Sequence, residues 1–318
     1  MSFELLAGRD HSAHPEFALW HGNIGQSVAL DLAPPAAPGI KNIDVLCWNL
    51  AIGRAYLDEL LASLKSGAYG AIGSAPDRPL VLLVQEAYRA DPSVPEMISN
   101  RFHGGHLAVS ARHDIVDFAA RHNFSLRYAP SMRNGRHRSD RGNAILASAS
   151  IAAARAFVLP YIRQRRVVVK AELEGLPWLT LVSAHLDTGG QLPDKRRFGR
   201  FGAGRTAQTE ELLRRLQEHG EDRSVLLGAD LNTPLGARDP AIKALLRNGL
   251  QHAAGSAQLG HTFHGPIRLL LDHMVYRSPD NRIARIEVAR LDETRDDAGR
   301  RVFGSDHHPL LAQVELNP

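Results

Sequence analysis

The chain has 318 residues, of which 44% are hydrophobic and 23% charged, a composition typical of a globular protein with a substantial core. The formal net charge is +4 and the sequence pI is near 9.4, which suits a polyanionic partner without requiring one. The single cysteine, Cys47, excludes an internal disulfide and a cysteine-rich zinc site, and its apolar neighbours predict a buried thiol.

The N-terminal segment has no basic start followed by an apolar stretch, so we expect no signal peptide. No segment approaches the roughly 20 apolar residues that span a bilayer, so we expect a soluble, cytoplasmic protein without stable membrane insertion. Residues 1–40 lack periodicity and end in the proline-rich stretch LAPPAAPG. They are interpreted as an N-terminal arm, and residues 41–318 as one domain.

Beyond residue 40, short apolar runs alternate with polar stretches of helical spacing. Residues 54–66 carry four leucines on one helical stripe, and residues 206–220 form a second helical segment that ends at a glycine. A long series of strands with few helices predicts sheets packed on one another with helices outside. The strands are expected at 43–49, 80–86, 142–148, 165–173, 178–187, 224–232, 269–277 and 310–316.

Polar side chains stand where the expected strands begin or end. Any one of them has an ordinary explanation as a turn former or a helix cap, but turns alone would bring in more serine and glycine. Because strand ends are rigid supports for loops, we expect these side chains to meet in one cleft. They are Asn49, Glu86, His185, Asp230, Asn232, Asp272, Asp306 and His307.

This set of side chains meets the needs of phosphoryl transfer, which are a metal, an oriented water and donors for the developing charge. Mg²⁺ and Mn²⁺ prefer oxygen ligands, which the carboxylates and amides supply. The motifs of other hydrolases are missing from the sequence, namely G-x-S-x-G, H-E-x-x-H and G-x-x-x-x-G-K-[ST]. The pattern therefore predicts a metal-dependent hydrolase that acts on a phosphoester.

Seven short motifs, taken in order, resemble the endonuclease/exonuclease/phosphatase family. The resemblance covers about residues 43 to 316 and implies a divalent-metal-dependent phosphoesterase. It also implies the DNase I-like fold, an α/β fold built as a four-layered α/β/β/α sandwich of two packed mixed sheets with outer helices. The motifs are WN ending at 49, QE ending at 86, GNAIL (142–146), SAHLD (183–187), GADLN (228–232), LDH (271–273) and SDHHP (305–309).

The resemblance implies a metal site and a phosphate-binding histidine. Glu86 is expected to be the principal metal ligand, with Asn49 holding the metal or its water. Asp306 is expected either to complete the metal site or to orient His307. His307 itself is expected to bind the scissile phosphate and stabilise the transition state, or to act as a base.

The resemblance also implies the residues that handle the water and the leaving oxygen. Asp230 is expected to deprotonate the water, and Asn232 to hold a phosphate oxygen. Asp272 is expected to pair with His185 and raise its pKa, so that this imidazole protonates the leaving oxygen. Apurinic-site endonucleases have an acidic residue where this chain has Ala51 and lack a histidine at 185, which favours the DNase-like, phosphatase-like and sphingomyelinase-like branches.

Two arginine-rich stretches adjoin the motifs, MRNGRHRSDRGN (132–143) and DKRRFGRFGAGR (194–205). Arginine forks bind phosphate at two points, and Phe198 and Phe201 are candidates for stacking on bases. The alternative is that both stretches are solvated loops. The residues predicted to bind substrate are Arg138, Arg141, Asn143, Arg196 and Arg197.

Several other polar residues have a simpler interpretation than catalysis. His308 is expected to pack against Pro309, and His273 to pack beside Asp272. Asp187 is interpreted as a turn residue. The histidines in glycine-rich segments at irregular spacing are interpreted as exposed loop residues and not as zinc ligands; they are His103, His106, His261 and His264.

A nucleic acid, DNA or RNA, is therefore the predicted substrate, and Mg²⁺ or Mn²⁺ the predicted cofactor. The alternatives are a phosphatase acting on a phosphoinositide or another small phosphate, and a sphingomyelinase-like phosphodiesterase. A non-catalytic binding module on the same fold is a further alternative, against which the intact set of catalytic motifs argues. No groove-reading helix motif is visible, and no protein partner is inferred.

Overall fold

The computed structural model describes residues 3, 5–6, 15–70, 77–96, 112–135, 137–188, 202–218, 223–292 and 303–317. The helices within these residues are α1 (Pro15–Gly22), α2 (Leu57–Lys65), α3 (Ile115–His122), α4 (Ala203–Gln217) and α5 (Pro240–Arg247). The strands are β1 (Leu5–Leu6), β2 (Val28–Leu30), β3 (Asn42–Asn49), β4 (Leu80–Ala90), β5 (Ser125–Arg133), β6 (Ser139–Ala147), β7 (Ile151–Val158), β8 (Val167–Leu173), β9 (Leu179–His185), β10 (Ser224–Asp230), β11 (Gln251–His252), β12 (Phe263–His264), β13 (Arg268–Leu269), β14 (Asp272–Arg277), β15 (Ile283–Arg290) and β16 (Leu310–Leu316).

Two mixed sheets of seven strands each, counted over the described residues, form the body of the molecule. The first sheet has the order β1-β7-β8-β9-β10-β14-β11, and the second has the order β15-β16-β3-β4-β6-β5-β2. The ribbon of β12 and β13 stands apart from both sheets.

The buried apolar residues form layers that correspond to this arrangement. One cluster, which includes Val45 and Val81 from the second sheet and Val169 and Leu181 from the first, fills the space between the sheets. A second cluster packs α2 and α3 on the outer face of the second sheet, and a third packs α4 and α5 on the first sheet. The predicted four-layered α/β/β/α sandwich is confirmed.

Strand register brings the polar strand ends to the same edge. β9 and β10 run parallel with His185 opposite Asp230, and β10 pairs antiparallel to β14 with Asp230 opposite Asp272. In the second sheet β3 runs parallel to β4 with Asn49 opposite Gln85, one residue before Glu86. The carboxyl ends of these two parallel pairs meet, since Asn49 at the end of β3 donates a hydrogen bond to Asp230 at the end of β10.

The two sheets approach closely just below this region. Gly228 lies two residues before Asp230, and a Cβ at that position would stand 2.9 Å from the side chains of Cys47 and Leu83 on the opposite sheet. Such a distance is shorter than real Cβ contacts, so the glycine of GADLN is needed for the close approach of the sheets. Cys47 is buried, as predicted.

The described part of residues 1–40 pairs with both sheets. β1 lies parallel to β7 in the first sheet, and β2 lies antiparallel to β5 in the second. The division into an arm at 1–40 and one domain at 41–318 stays a prediction. Among the described residues, no helix combines the length and apolar character needed to cross a membrane.

Candidate active site

Asp230 lies at the centre of a buried polar group at the end of β10. Its Oδ2 accepts a hydrogen bond of 2.8 Å from Asn49 Nδ2 and lies 3.3 Å from His185 Nε2 and 3.9 Å from His307 Nε2. Its Oδ1 accepts a hydrogen bond from the main-chain N–H of Asn232. One carboxylate therefore faces an amide and two imidazoles, all contributed by different strand ends.

Asp272 pairs with His307, and the predicted pairing of Asp272 with His185 is wrong. His307 Nδ1 donates to Asp272 Oδ2 at 2.7 Å, and the aspartate side chain is fully buried. The register between β10 and β14 directs Asp272 toward His307, since it places this aspartate across from Asp230 on the far side from β9. Asp272, and not Asp306, is the residue that orients His307.

Main-chain contacts hold this pair in place. Trp48 Nε1 donates to His307 O, and Ser305 Oγ accepts from His307 N while donating to Asn49 O. Thr262 Oγ1 accepts from Asp272 N. These contacts bind the loop before β16 to the end of β3, so the imidazole is positioned before any ligand arrives.

The surroundings of His307 and Asp230 shift the pKa values of both groups. Burial alone would lower the pKa of His307, but the carboxylate of Asp272 outweighs it and raises the pKa to about 10. Burial and the charge of Asp272 raise the pKa of Asp230, against the opposing effect of His307. His307 is therefore a cation at neutral pH, and Asp230 is a carboxylate with increased affinity for a proton.

His185 is neutral, which also contradicts the expected rise of its pKa. Arg166 Nη1 lies 3.0 Å from His185 Nδ1, and since arginine only donates, that nitrogen accepts and the proton sits on Nε2. Burial and Arg166 hold the pKa of His185 well below its usual value. The imidazole therefore presents an N–H to Asp230 Oδ2.

The donor chemistry of the group fits a divalent cation. Possible ligand atoms of Asp230, Asp272 and His307 lie within 4.8 Å of one another, and two of the three residues are carboxylates. Asp272 Oδ1 is buried and has no hydrogen-bond partner within the described part of the chain. The imidazolium of His307 offsets only one of the two buried carboxylate charges, and a hard cation at the unsatisfied oxygen would offset the other.

Glu86 and Asp306, two of the predicted metal residues, lie outside that group of three. Glu86 sits at a bulge where the pairing of β4 with β6 shifts between Val84 and Ala87, and its φ is 50°. The side chain of Gln85 lies between the sheets, where its amide Nε2 donates to Ser183 Oγ. The bulge therefore redirects Glu86 away from the core.

Arginines surround Glu86. Burial lowers the pKa of Arg141. The charge of Glu86 partly offsets this decrease, whereas the charges of Arg166 and Arg112 add to it. Burial likewise lowers the pKa of Arg112, and Arg54 adds to the effect. The guanidinium groups of Arg54, Arg112, Arg141 and Arg166 therefore influence one another electrostatically near Glu86 and His185, and we refer to these four residues as the arginine row.

The remaining residues predicted to bind substrate occupy different surroundings. Asn232 adopts a left-handed φ of 49° and donates from Nδ2 to Leu186 O. Asn143 is buried between the sheets, where Nδ2 donates to Val167 O. Arg138 is exposed and forms an ion pair with Glu96. Arg196 and Arg197 lie outside the described residues, as do Phe198 and Phe201.

Two arginines of the arginine-rich stretches hold the fold together instead of forming a mobile basic surface. Arg133 is buried and donates to the carbonyl oxygens of Asn23 and Pro95. Arg205 is buried in α4 and forms an ion pair with Asp239, which also caps α5. In each case, acceptor groups within the protein compensate for the burial of the guanidinium charge.

The other polar residues divide into confirmed and corrected predictions. Asp187 accepts hydrogen bonds from two main-chain N–H groups, as a turn residue does, and His273 packs in β14 with its Nε2 on Thr233 Oγ1. His261 and His264 were expected to be exposed, but they are half-buried, and their rings and that of the buried His308 lie 4.7 to 5.3 Å apart. His103 and His106 lie outside the described residues.

Arg166 is the main site residue that sequence reasoning missed. It stands directly before the buried run VVVK of β8, where a charged residue at a strand start is unremarkable. Only the antiparallel pairing of β8 with β9 shows that this start lies beside the end of β9.

Comparisons with known proteins agree with the fold. A family model described as the endonuclease/exonuclease/phosphatase family matches residues 46–307. Similar solved structures include a Bacteroides vulgatus endonuclease/exonuclease/phosphatase, with 12% identity, TM-score 0.54, and coverage of 87% of this chain and 99% of that chain. The human Nocturnin catalytic domain with bound sulfate anion has 15% identity and TM-score 0.52, with 92% and 97% of the two chains covered.

A third structure, D. rerio TDP2 complexed with single strand DNA product, has 14% identity and TM-score 0.52, with 86% of this chain and 99% of that chain covered. At such identities the likeness concerns the fold alone. No curated protein sequence matches the chain.

Proposed function

Because the chain belongs to the endonuclease/exonuclease/phosphatase family, we propose that it is a nuclease that cleaves DNA or RNA with Mg²⁺ or Mn²⁺. Divalent-metal-dependent hydrolysis of a phosphoester bond follows from the family; the proposal concerns the nucleic acid and the identity of the metal. D. rerio TDP2, which shares the fold, has been crystallised with single strand DNA product.

The row of four arginines beside Glu86 is the observation that supports a polyanionic substrate. The Nε–H groups of Arg54, Arg141 and Arg166 are buried and have no hydrogen-bond partner among the described residues. A buried unpaired donor is costly, and phosphate oxygens would satisfy it. A row of several such donors suits successive phosphates of one strand better than a single phosphate group.

The central group supplies the hydrolytic chemistry. Asp230 is proposed to take the proton of the attacking water, since burial and Asp272 raise its pKa. His307, kept cationic by Asp272, is proposed to stabilise the charge that develops on the phosphoryl oxygens. The neutral His185 is proposed to donate a hydrogen bond from Nε2, and Asn232 to hold a phosphate oxygen.

Oxygen donors at this edge are proposed to hold the metal. Glu86 and Asn49 remain the proposed ligands from the second sheet, and Asp306 from the loop before β16. The unsatisfied Oδ1 of Asp272 is a further donor at the same edge. When bound, a divalent cation would neutralise phosphate charge and polarise the scissile bond.

The test is a side-by-side hydrolysis assay with Mg²⁺, Mn²⁺ or a chelator. The substrates are plasmid DNA, single-stranded RNA, a phosphoinositide and sphingomyelin. We expect metal-dependent cleavage of DNA or RNA that the chelator abolishes. Phosphate release from the phosphoinositide alone would establish the phosphatase alternative, and cleavage of sphingomyelin alone would establish the lipid phosphodiesterase.

The arginine row is tested by binding of a single-stranded oligonucleotide, followed by fluorescence anisotropy over a range of salt concentrations. Arg112→Gln is expected to weaken binding about tenfold and to reduce the salt slope by roughly 0.7, the value for one lost contact to a single-stranded phosphate. Arg247→Gln, on the exposed side of α5, is the matched control. Equal behaviour of the two variants would contradict the proposed path of the strand.

A further inference from the structure

We propose that His261, His264 and His308 form a second metal site, distinct from the catalytic group, which takes Zn²⁺ or a similar transition metal. Each of the three residues offers a nitrogen, and these nitrogens lie within 4.8 Å of one another. The inference concerns metal binding and does not depend on whether the substrate is a nucleic acid.

A short antiparallel pairing creates this cluster. Phe263 forms a bridge with His307, while His264 N donates to Asp306 O and His308 N donates to Thr262 O. Because side chains alternate between faces along extended chains, Phe263 and His307 share one face and His264 and His308 share the other. The ring centroids agree, with 5.0 Å for the first pair and 4.7 Å for the second.

The protonation of His308 leaves one nitrogen ready for a metal. Its Nδ1 lies 2.8 Å from Asp292 Oδ1 and 3.3 Å from Leu291 O, both of which only accept, so Nδ1 carries the proton. The lone pair is therefore on Nε2, which is buried and has no hydrogen-bond partner within the described residues. A carboxylate on the far nitrogen of a ligand histidine is the usual support of a metal site.

His261 provides the second unsatisfied nitrogen of the cluster, after that of His308. Its Nε2 is buried and likewise without a hydrogen-bond partner in the described chain. Arg290 Nη1 lies nearer to the carbonyl oxygen of His261, at 2.8 Å, than to its Nδ1, at 3.3 Å, so the main chain is its principal acceptor. Arg290 also forms a two-point pair with Asp292, which neutralises its charge beside the cluster.

The ligand set selects the metal. Three imidazoles with no carboxylate among them match Zn²⁺, which binds nitrogen at about 2.0 to 2.1 Å and often keeps a fourth position for water. Mg²⁺ prefers oxygen ligands and would not compete at such a site. His264 and His261 are only half-buried, so the metal can enter from solvent.

The position of the cluster indicates what metal binding would stabilise. The metal would join the segment 261–264 to the segment 306–308, directly behind the imidazole of His307. Thr262 lies in the first of these segments and also holds the main-chain N–H of Asp272. Zinc binding would therefore stabilise the loop that positions both members of the catalytic pair.

The test is a Zn²⁺ titration of the metal-free full chain in excess Mg²⁺, with zinc measured by mass spectrometry after gel filtration. We expect one Zn²⁺ per chain and a rise in Tm. His264→Ala, at a half-buried position, is expected to weaken zinc binding by at least about 100-fold and to abolish the rise in Tm, while Asp292→Asn is expected to weaken it by about 10-fold.

Two controls separate this site from the catalytic group. His137→Ala removes an exposed histidine outside the cluster, and Glu86→Gln alters the proposed catalytic metal site. Both are expected to retain zinc. Zinc binding that survives in His264→Ala, or that is lost in Glu86→Gln, would overturn the proposal. Failure of the nuclease assay would leave this result unaffected, because the readouts are stoichiometry and Tm.

Discussion

His307 and His308 are adjacent in sequence and similar in environment, yet their protonation differs. Both are buried, and each places Nδ1 within 2.8 Å of an aspartate, Asp272 for His307 and Asp292 for His308. The pKa of His307 is raised to about 10, whereas burial and Arg290 lower the pKa of His308 to about 4.

The partner aspartates explain the difference. The side chain of Asp272 is fully buried, and that of Asp292 is 56% exposed and shared with Arg290. A carboxylate that water screens and a guanidinium neutralises cannot offset the desolvation of a neighbouring imidazole. A short Asp–His contact is therefore insufficient to predict a charged histidine; the burial of the carboxylate and the position of other cations decide it.

The largest expected effect comes from breaking the charged pair. Asp272→Asn removes the carboxylate that keeps His307 protonated, so turnover of a generic phosphodiester should fall roughly 10³- to 10⁴-fold, as in other Asp–His systems. Asp58→Asn is the matched control, because Asp58 pairs with His122 on the surface between α2 and α3. A kcat for Asp272→Asn within tenfold of wild type would remove the charged pair from the mechanism.

Replacement of the central carboxylate should separate activity from stability. Asp230→Asn removes the proposed base, and turnover should fall about 10³-fold. Its Tm in metal-free buffer at pH 8 should be no lower than that of wild type, because the raised pKa of Asp230 means that its ionised form costs folding energy. The measurements are single-turnover kinetics and thermal unfolding; a fall of Tm would show that Asp230 is chiefly structural.

A pH series of unfolding tests the charge on His307 directly. A histidine whose folded pKa lies above its unfolded value near 6.5 contributes stability fully below that value and loses it as pH rises through about 10. The raised pKa of Asp230 also lowers stability as pH rises, but it does so at lower pH, up to about 7, because ionisation costs more in the folded state. The stability of metal-free wild type should fall between pH 7 and pH 10, and the fall should flatten in Asp272→Asn. Parallel curves for the two proteins would contradict the pairing.

Much of the fold could be predicted from the sequence because the central strands are apolar runs. The apolar runs IDVLCWN and SVLLGAD form β3 and β10, with nearly the predicted bounds. β7, with the sequence IAAARAFV, was missed because alanine carries little strand signal. β15 was missed because charged residues interrupt its apolar ones, so it contains no continuous apolar run. α5 was missed although Asp239 caps it and Pro240 occupies its first turn.

The candidate site shows where sequence reasoning ends. Residues such as Asp230 and His185 were recognisable because they close apolar strands. The partner of Asp272 was not, because a contact between residues 35 positions apart is set by strand register and by the route of the loop before β16. The cluster of His261, His264 and His308 depends on the same pairing, so irregular spacing in sequence concealed a regular arrangement in space.

The smallest expected effect concerns Arg290, the cation that lies near His308 and lowers its pKa. Arg290→Gln removes a positive charge near the ring and releases Asp292 from its two-point pair, and both changes favour protonation. The pKa of His308 should therefore rise, by no more than about one unit because Asp292 remains partly solvated. Imidazole nitrogen chemical shifts in metal-free protein measure it. Arg282→Gln, which breaks an exposed pair with Asp280, is the control. If His308 titrates identically in both variants, burial alone separates the two neighbouring histidines, and the arginine has no part in the difference.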